Sequence, residues 1–273
     1  TTANLPATLG ADAPYENMGT IQTKGWELAI DYRHTFKNGL HFGVTASVAD
    51  DKTEVTKWTY NTKIPSYGAT GWWDKSAYKE GMVLGDIWGL QFDRFLTEDD
   101  FNADGSLKAG LPDQTKVFPA GYQFAPGDVL YKDLDNNGEI VKQTNTNDKG
   151  DLSVIGNALP RLQFGLNLDA AWKGFDISMF FQGVAKRKLW AAGNQVLPGF
   201  TTGEPFYKGA EDYWTPENTD AFYPRPMDYK QSASGNYSVN DRYLLNMAYL
   251  RLKTFTVGYS LPKVWLSKFK VQG

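Results

Sequence analysis

Cysteine is absent from all 273 residues, so no disulfide holds this chain and neither thiol chemistry nor a thiolate-bound metal is open to it. Histidine is nearly absent. His34 and His41, the only two, flank one short turn, which argues against a histidine-based triad or a histidine-rich metal centre. No apolar run approaches the roughly 20 residues that a membrane-crossing helix needs. A strong charge of one sign is also missing: the net charge of −3 gives no electrostatic footprint for nucleic acid. Carboxylates are plentiful, but no pair stands out from loop solvation as a glycosidase-type acid and base, so catalysis is not expected. These absences leave β-strands as a route across a membrane. In a transmembrane barrel every second strand residue faces a hydrated lumen and the outer loops are polar, which keeps mean hydropathy negative, as it is here.

What the chain has in quantity is aromatic residues, 15%, and glycine, 27 positions, a composition usual for aromatic-girdled β-structures or for surfaces that stack on sugars. From Pro160 to Gly183 the apolar residues Leu162, Phe164, Leu166, Leu168, Ala170 and Trp172 alternate with mostly polar or small ones. After Lys173-Gly174 the alternation resumes with Phe175, Ile177, Met179 and Phe181. This pattern predicts two strands of about ten residues joined by the shortest hairpin loop. A twin hairpin precedes it: Trp26, Leu28, Ile30, Tyr32, His34 and Phe36, a turn at Lys37-Asn38-Gly39, then Leu40, Phe42, Val44, Ala46 and Val48. Strands of this length span a bilayer when tilted. One such hairpin fits a soluble sandwich equally well.

Between the hairpins, from about 50 to 159, and after the second, from 188 to 247, the period is mostly lost. Gly81–Phe95 and part of Val117–Tyr131 are strand-like, and the first is expected to belong to a folded loop. A further strand over Ala248–Pro262 needs a bulge near Lys253-Thr254 to keep its apolar residues on one face. Val264–Phe269 fits a helical turn. If both short turns lie on one side of a membrane, the segment 50–159 contains zero or two further crossings, never one. Long loops on one side and short turns on the other are the pattern of outer-membrane barrels. The predicted class is therefore all-β: part of a transmembrane antiparallel β-barrel with long extracellular loops. Leu162, Phe164, Leu166, Leu168, Ile177, Met179 and Phe181 are assigned to lipid, and Gln163, Asn167, Asp169, Ser178 and Gln182 to a hydrated lumen.

Several stretches together resemble TonB-dependent outer-membrane transporters of the SusC/RagA type. They are Asn17-Met18-Gly19 with Thr23–Leu28; Gly127–Asp133; Val154–Asn157 with Pro160; Lys173–Asp176 with Phe180–Gly183; Tyr213–Asn218 with Tyr223-Pro224-Arg225; and Asp241-Arg242-Tyr243 with Tyr249–Lys253 and Gly258–Pro262. The resemblance implies that residues 1–273 form a C-terminal portion of a plugged barrel of about 22 strands, with the plug domain, the TonB-contacting segment and the last strands outside this chain. It also implies import of oligosaccharides or peptides across the outer membrane of a Bacteroidota cell. The implied partners are the TonB complex, outer-membrane lipid and a SusD-like lipoprotein lid, with the transporter–lid pair able to dimerise. A secreted carbohydrate-binding β-protein and a β-rich glycoside hydrolase are the alternatives.

Two sets of residues are candidates for ligand chemistry. Asp133, Asp135 and Asn137 place oxygens at the first, third and fifth positions of a loop with Gly138 at the sixth, as in a Ca²⁺ loop, and Glu139 follows. Thr144 replaces the usual twelfth-position Glu, so Asp148 or Asp151 would have to close the site; otherwise the stretch is a solvated turn. Trp58, Trp72, Trp73, Trp88 and Trp190 could stack on sugar, bind peptide or meet the lid, or could simply pack the loops together. Trp214 lies within one of the resembling motifs and is expected to be structural.

Overall fold

The computed structural model describes residue 17, residues 19–58, 78–142, 148–199, 206–227 and 235–262, and residue 265. In chain order the strands are β1 (Gly19–Thr35), β2 (His41–Trp58), β3 (Asp86–Gly89), β4 (Phe92–Phe95), β5 (Val129–Tyr131), β6 (Ser153–Asn157), β7 (Arg161–Trp172), β8 (Phe175–Lys186), β9 (Lys188–Leu189), β10 (Leu245–Asn246) and β11 (Tyr249–Tyr259). They divide between two compact units, one comprising Thr23–Lys52, Pro160–Arg187 and Asn246–Gly273, the other the remainder.

The first unit is built on a sheet in the order β1-β2-β7-β8-β11. Its turns follow from local chemistry. Lys173 and Gly174 both take positive φ, 51° and 90°, the paired left-handed geometry whose twist matches antiparallel strands. At the other turn Gly39 supplies φ of 82°, and the Phe36 N–H donates to the Leu40 carbonyl at 2.8 Å. Register then sorts the faces. Leu166 pairs with Ala46 and Phe181, and Leu168 with Val44 and Met179. Phe164 pairs with Val48, and Ala170 with Ile177. Residues directly opposite share a face, so the predicted apolar stripe is continuous across these strands. The ladder between β8 and β11 shifts between Leu252 and Thr254, the bulge expected there. It brings Leu252, Phe255 and Val257 onto the face of Phe181, Met179 and Ile177. Leu162 departs from a regular start: its φ is 51° and its N–H donates to the Asp50 carboxylate, which also holds Arg161 through two hydrogen bonds of 2.5 and 2.7 Å.

Two sequence expectations are resolved by pairing. Because β2 pairs directly with β7, and β8 with β11, the long segments insert no crossing strand between them. Gly81–Phe95 is two short strands, pairing β3 with β6 and β4 with β5, inside a folded loop. The strand after the first turn is longer than its apolar alternation suggests: β2 runs on to Trp58, so the long segment starts there rather than near 50. Beyond Asp50 backbone pairing, not apolar patterning, carries the strand; the Val55 N–H donates to the Met82 carbonyl and the Gly81 N–H to Val55. Apart from residue 265, the 264–269 turn lies outside the described residues.

The second unit takes in the described parts of Thr53–Leu159 and Lys188–Leu245, the two long segments of the sequence. It folds around two apolar clusters: Leu90, Phe95, Val117, Val129, Tyr131 and Trp214 are central to one, and Ile87, Trp190, Leu197, Tyr237 and Tyr243 form the other. With so little regular sheet, side chains satisfy much of its backbone. Gln114, 1% exposed, donates to the Val129 carbonyl at 2.8 Å and accepts from the Tyr131 N–H, closing the otherwise open edge of β5. Asp128, fully buried, accepts from Tyr122 Oη, Asn236 Nδ2 and Arg225 Nε at 2.8–2.9 Å and from the Ala125 N–H at 2.9 Å. Gly127, at φ 89°, lies under the Trp214 ring, where a Cβ would come within 2.5 Å of a ring carbon. The Gly-Asp and Tyr-Trp motifs singled out in the sequence thus meet as one structural clasp.

Arg94 and Asp100 form a second clasp in this unit, with hydrogen bonds of 2.6 and 2.8 Å plus one from the Thr97 N–H. The Arg94 guanidinium, against the opposing cost of burial, holds the Asp100 carboxyl down at about 2. A depressed carboxylate stabilises the fold fully above its unfolded value, near 3.8, and the contribution is lost as pH falls through about 2. Acidification across that window is expected to loosen residues 94–108. Asp100→Asn should show the same loosening at neutral pH and no further acid step, which hydrogen exchange corrected for its intrinsic rate will reveal. An unchanged acid step in the variant would assign it to another group.

Candidate functional site

The sheet offers the chemistry of a membrane wall. On its polar face Thr45 pairs with Asn167 and donates to Asp31 Oδ2 at 2.6 Å, Asp169 pairs with Ser178, and Lys253 reaches Gln182. On the other face apolar side chains stand free: Trp26, Leu28 and Ile30 of β1 are more than half exposed, and Leu250, Phe255 and Val257 of β11 are 58–68% exposed. Water would penalise such a stripe heavily, whereas lipid accepts it. Trp172, with Lys173 over its ring at 4.4 Å, and the Phe175–Tyr259 ring pair, 4.4 Å apart, sit by the Lys173-Gly174 turn, where an interfacial aromatic girdle belongs.

The acidic loop gathers three carboxylates. Asp133, Asp135 and Asp151 place one carboxylate oxygen each within 4.8 Å of one another. Asn136 and Gly138 adopt positive φ, which curls the loop so that the Asp133 carboxylate accepts from the Asn136 and Gly138 N–H groups at 2.7 and 2.8 Å. Asp151, fully buried, accepts from the Leu134 and Val141 N–H groups, both at 2.8 Å. Desolvation raises Asp133, but those backbone donors outweigh it and leave the group below its ordinary value. Asp135 is raised, by desolvation first and then by the neighbouring charges of Asp151 and Asp133. Of the other sequence candidates, Glu139 pairs with Lys116 and Asn137 accepts from the Glu139 N–H. Asp151, not Glu139, completes the cluster.

The tryptophans mostly pack. Trp190 is 2% exposed in the second apolar cluster, so it presents no face to a ligand. Trp58 packs on Tyr78 at 5.1 Å, and Trp88 lies in β3 with its indole nitrogen enclosed. Trp72 and Trp73 fall outside the described residues. Trp214, 7% exposed, is structural as expected. Among the described residues an aromatic-lined cavity lies elsewhere, on residues the tryptophan count overlooked: Phe206, Tyr207, Tyr213, Tyr223 and Tyr237 line a space of about 330 Å³. The signal was present in the density of Tyr, Phe and Pro between 206 and 226. Tyr223 stacks on Tyr243 at 6.0 Å and 13°, and Tyr237 meets the same ring edge-on at 5.5 Å. Burial raises the phenols of Tyr223 and Tyr237, so both remain neutral hydroxyls.

Strands of bilayer-spanning length, an apolar outer stripe, a polar inner face, and short turns alternating with long folded loops define a segment of an outer-membrane antiparallel β-barrel. The comparisons agree. The chain is similar to TonB-dependent receptor P3 of Formosa agariphila, 25% identical over 277 residues, covering 98% of this chain and 24% of that protein. It is likewise similar to TonB-dependent receptor P26 of the same organism, 25% identical over 275 residues, 94% of this chain and 24% of that one. The chain spans about a quarter of the length of these curated relatives. Among solved structures it matches the RagAB peptide transporter with a TM-score of 0.62 at 16% identity, over 97% of this chain and 25% of that one. It also matches the RagAB peptide importer in its closed-closed state, with a TM-score of 0.57 at 16% identity, over 96% and 25%. No protein-family model matches. The resemblance to TonB-dependent transporters therefore extends over nearly the whole chain, and these relatives are receptors and a transporter rather than enzymes.

Proposed function

We propose that this chain is the wall and outer loops of a TonB-dependent importer that moves oligosaccharides or peptides across the bacterial outer membrane. The observation that carries the reading is the five-stranded sheet, lipid-compatible on one face and polar on the other, whose consecutive strands are joined alternately by two- or three-residue turns and by long folded segments. Its edge strands β1 and β11 carry backbone groups that lipid cannot satisfy, so further strands must complete the barrel. In this reading a SusD-like surface lipoprotein covers the loops, the TonB complex acts through another part of the protein, and two transporter–lid pairs associate. The full-length protein should fractionate with the outer membrane, migrate anomalously when unheated, and lose uptake when TonB is deleted. Recovery as a soluble, detergent-free monomer would overturn the reading.

Asp133, Asp135 and Asp151 are proposed as a Ca²⁺ site of the outer loops. The raised Asp135 supports it, since a cation would relieve three converging carboxylates. Calorimetry on the full-length protein should show Ca²⁺ binding that Asp135→Asn weakens. No heat at millimolar Ca²⁺ would leave the loop as a hydrogen-bonded turn.

A further inference from the structure

We propose that the cavity lined by Phe206, Tyr207, Tyr213, Tyr223 and Tyr237 is a sugar-binding site borne by the loop unit itself, capturing a neutral pyranose ring without help from a lid. The inference rests on the import reading and names its substrate class at one place.

Exposure is the first argument. This unit buries its aromatic rings efficiently: Trp190, Trp214, Tyr131, Tyr237 and Tyr243 are all 7% exposed or less. Around the cavity the rule is broken, with Phe206 56%, Tyr207 45% and Tyr213 40% exposed. Rings left open together beside a cavity mark a binding surface better than scattered ones do. Rigidity is the second. Tyr223 is fixed by its stacking on the buried Tyr243, so little side-chain freedom is lost when a ligand settles on it.

Ligand class follows from which polar groups are available. Along 223–226 the backbone beside the cavity is already committed. The Tyr223 N–H donates to the Asp212 carbonyl at 2.9 Å, the Tyr223 carbonyl accepts from the Trp214 N–H at 3.0 Å, and the Arg225 N–H donates to Gly127 at 3.0 Å. Pro224 and Pro226 have no N–H to offer. A peptide that binds by adding a strand needs a row of open main-chain donors and acceptors, and the stretch 223–226 withholds its donors. The charged lining residues are one of each sign, Lys208 and Glu211, so no field favours an ionic ligand. What remains are the ring of Phe206, the rings and hydroxyls of Tyr207, Tyr213 and Tyr223, one carboxylate and one ammonium. A pyranose matches that set: its C–H face lies on a ring, and its rim hydroxyls bond to the phenols and to the charged pair. A proline-rich peptide laid along the aromatic groove is the competing ligand.

The test uses detergent-purified full-length protein without any lid lipoprotein. Equilibrium binding is measured to maltohexaose, cellohexaose, xylohexaose and laminarihexaose, and to pooled tryptic peptides of casein, for the wild type and for a Phe206→Ala/Tyr213→Ala double variant. Both replaced side chains are exposed, so outer-membrane assembly should be unchanged. At least one hexasaccharide should bind, and the double variant should weaken it by about tenfold or more, the equivalent of one good stacking contact. Equal glycan affinity in the variant, binding of peptides alone, or binding of none of the sugars would overturn the proposal. Membrane fractionation of the same samples separates the two readings. Protein in the outer membrane that binds no sugar sinks the pocket and spares the importer, while sugar binding by a protein that never reaches the membrane does the reverse.

Discussion

Arg225→Met is expected to destabilise the loop unit by roughly 3–5 kcal/mol, because it strips the counter-charge from a buried carboxylate. Asp128 is fully inaccessible and the Arg225 side chain 25% exposed, so solvent cannot take over the lost interaction. Arg225 Nε and Nη2 donate to the two Asp128 oxygens at 2.8 and 3.2 Å, and the residues so joined are 97 apart in sequence. The same carboxylate anchors Tyr122 and Asn236, and Asn236 in turn accepts from the Val129 N–H at 2.8 Å. One charge therefore ties three stretches of an irregular unit that has little sheet to hold it. Hydrogen exchange on the full-length protein should show protection at 122–131 and 223–227 falling by at least about a hundredfold, with the sheet amides of β7 and β8 unaffected. Arg225→Lys should fall between, since it keeps the charge and loses the fork. Wild-type protection in the Met variant would mean that the remaining neutral donors suffice for Asp128.

Leu166→Arg is expected to cost roughly 2–4 kcal/mol in lipid, the penalty for a cation near the midplane of a barrel's outer face. Leu166 stands near the middle of β7, opposite Ala46 on one side and Phe181 on the other. The neighbouring Asn167, between Thr45 and Phe180 and on the opposite face, is the control. Asn167→Lys should be almost neutral if that face is hydrated. Urea unfolding of the full-length protein in vesicles gives both values, and reversal of the two costs would assign lipid and lumen the wrong way round.

Period-two alternation was sufficient to place the β7–β8 hairpin and its turn, because a strand buried differently on its two faces must alternate, and Lys173-Gly174 is the pair that takes positive φ on demand. It even located the bulge at Lys253, since only an extra residue reconciles Leu252 with Phe255 on one face. The alternation gave no notice that β2 continues to Trp58, where backbone pairing replaces apolar patterning. Candidate sites were less legible. The acidic loop was recognisable from its Asp/Asn/Gly spacing, but Asp151, which joins it, is 16 residues beyond Asp135. Of the tryptophans taken as stacking residues, Trp190 fills core and Trp58 and Trp88 pack within the loop unit, while the open rings beside the cavity are tyrosine and phenylalanine.

The sequence by itself determined the class: no cysteine, no helical span, strands of bilayer length, and a strict alternation between short turns and long segments. Those are properties of single strands and turns, set by local sterics and by the demand that one face be apolar. Only the tertiary structure decided that the two long segments fold as one unit, that Asp128 and Arg225 close it, and which aromatic rings stay open. Each of those depends on residues about a hundred positions apart or more, or on what is left over after a core has packed, and no local period encodes either.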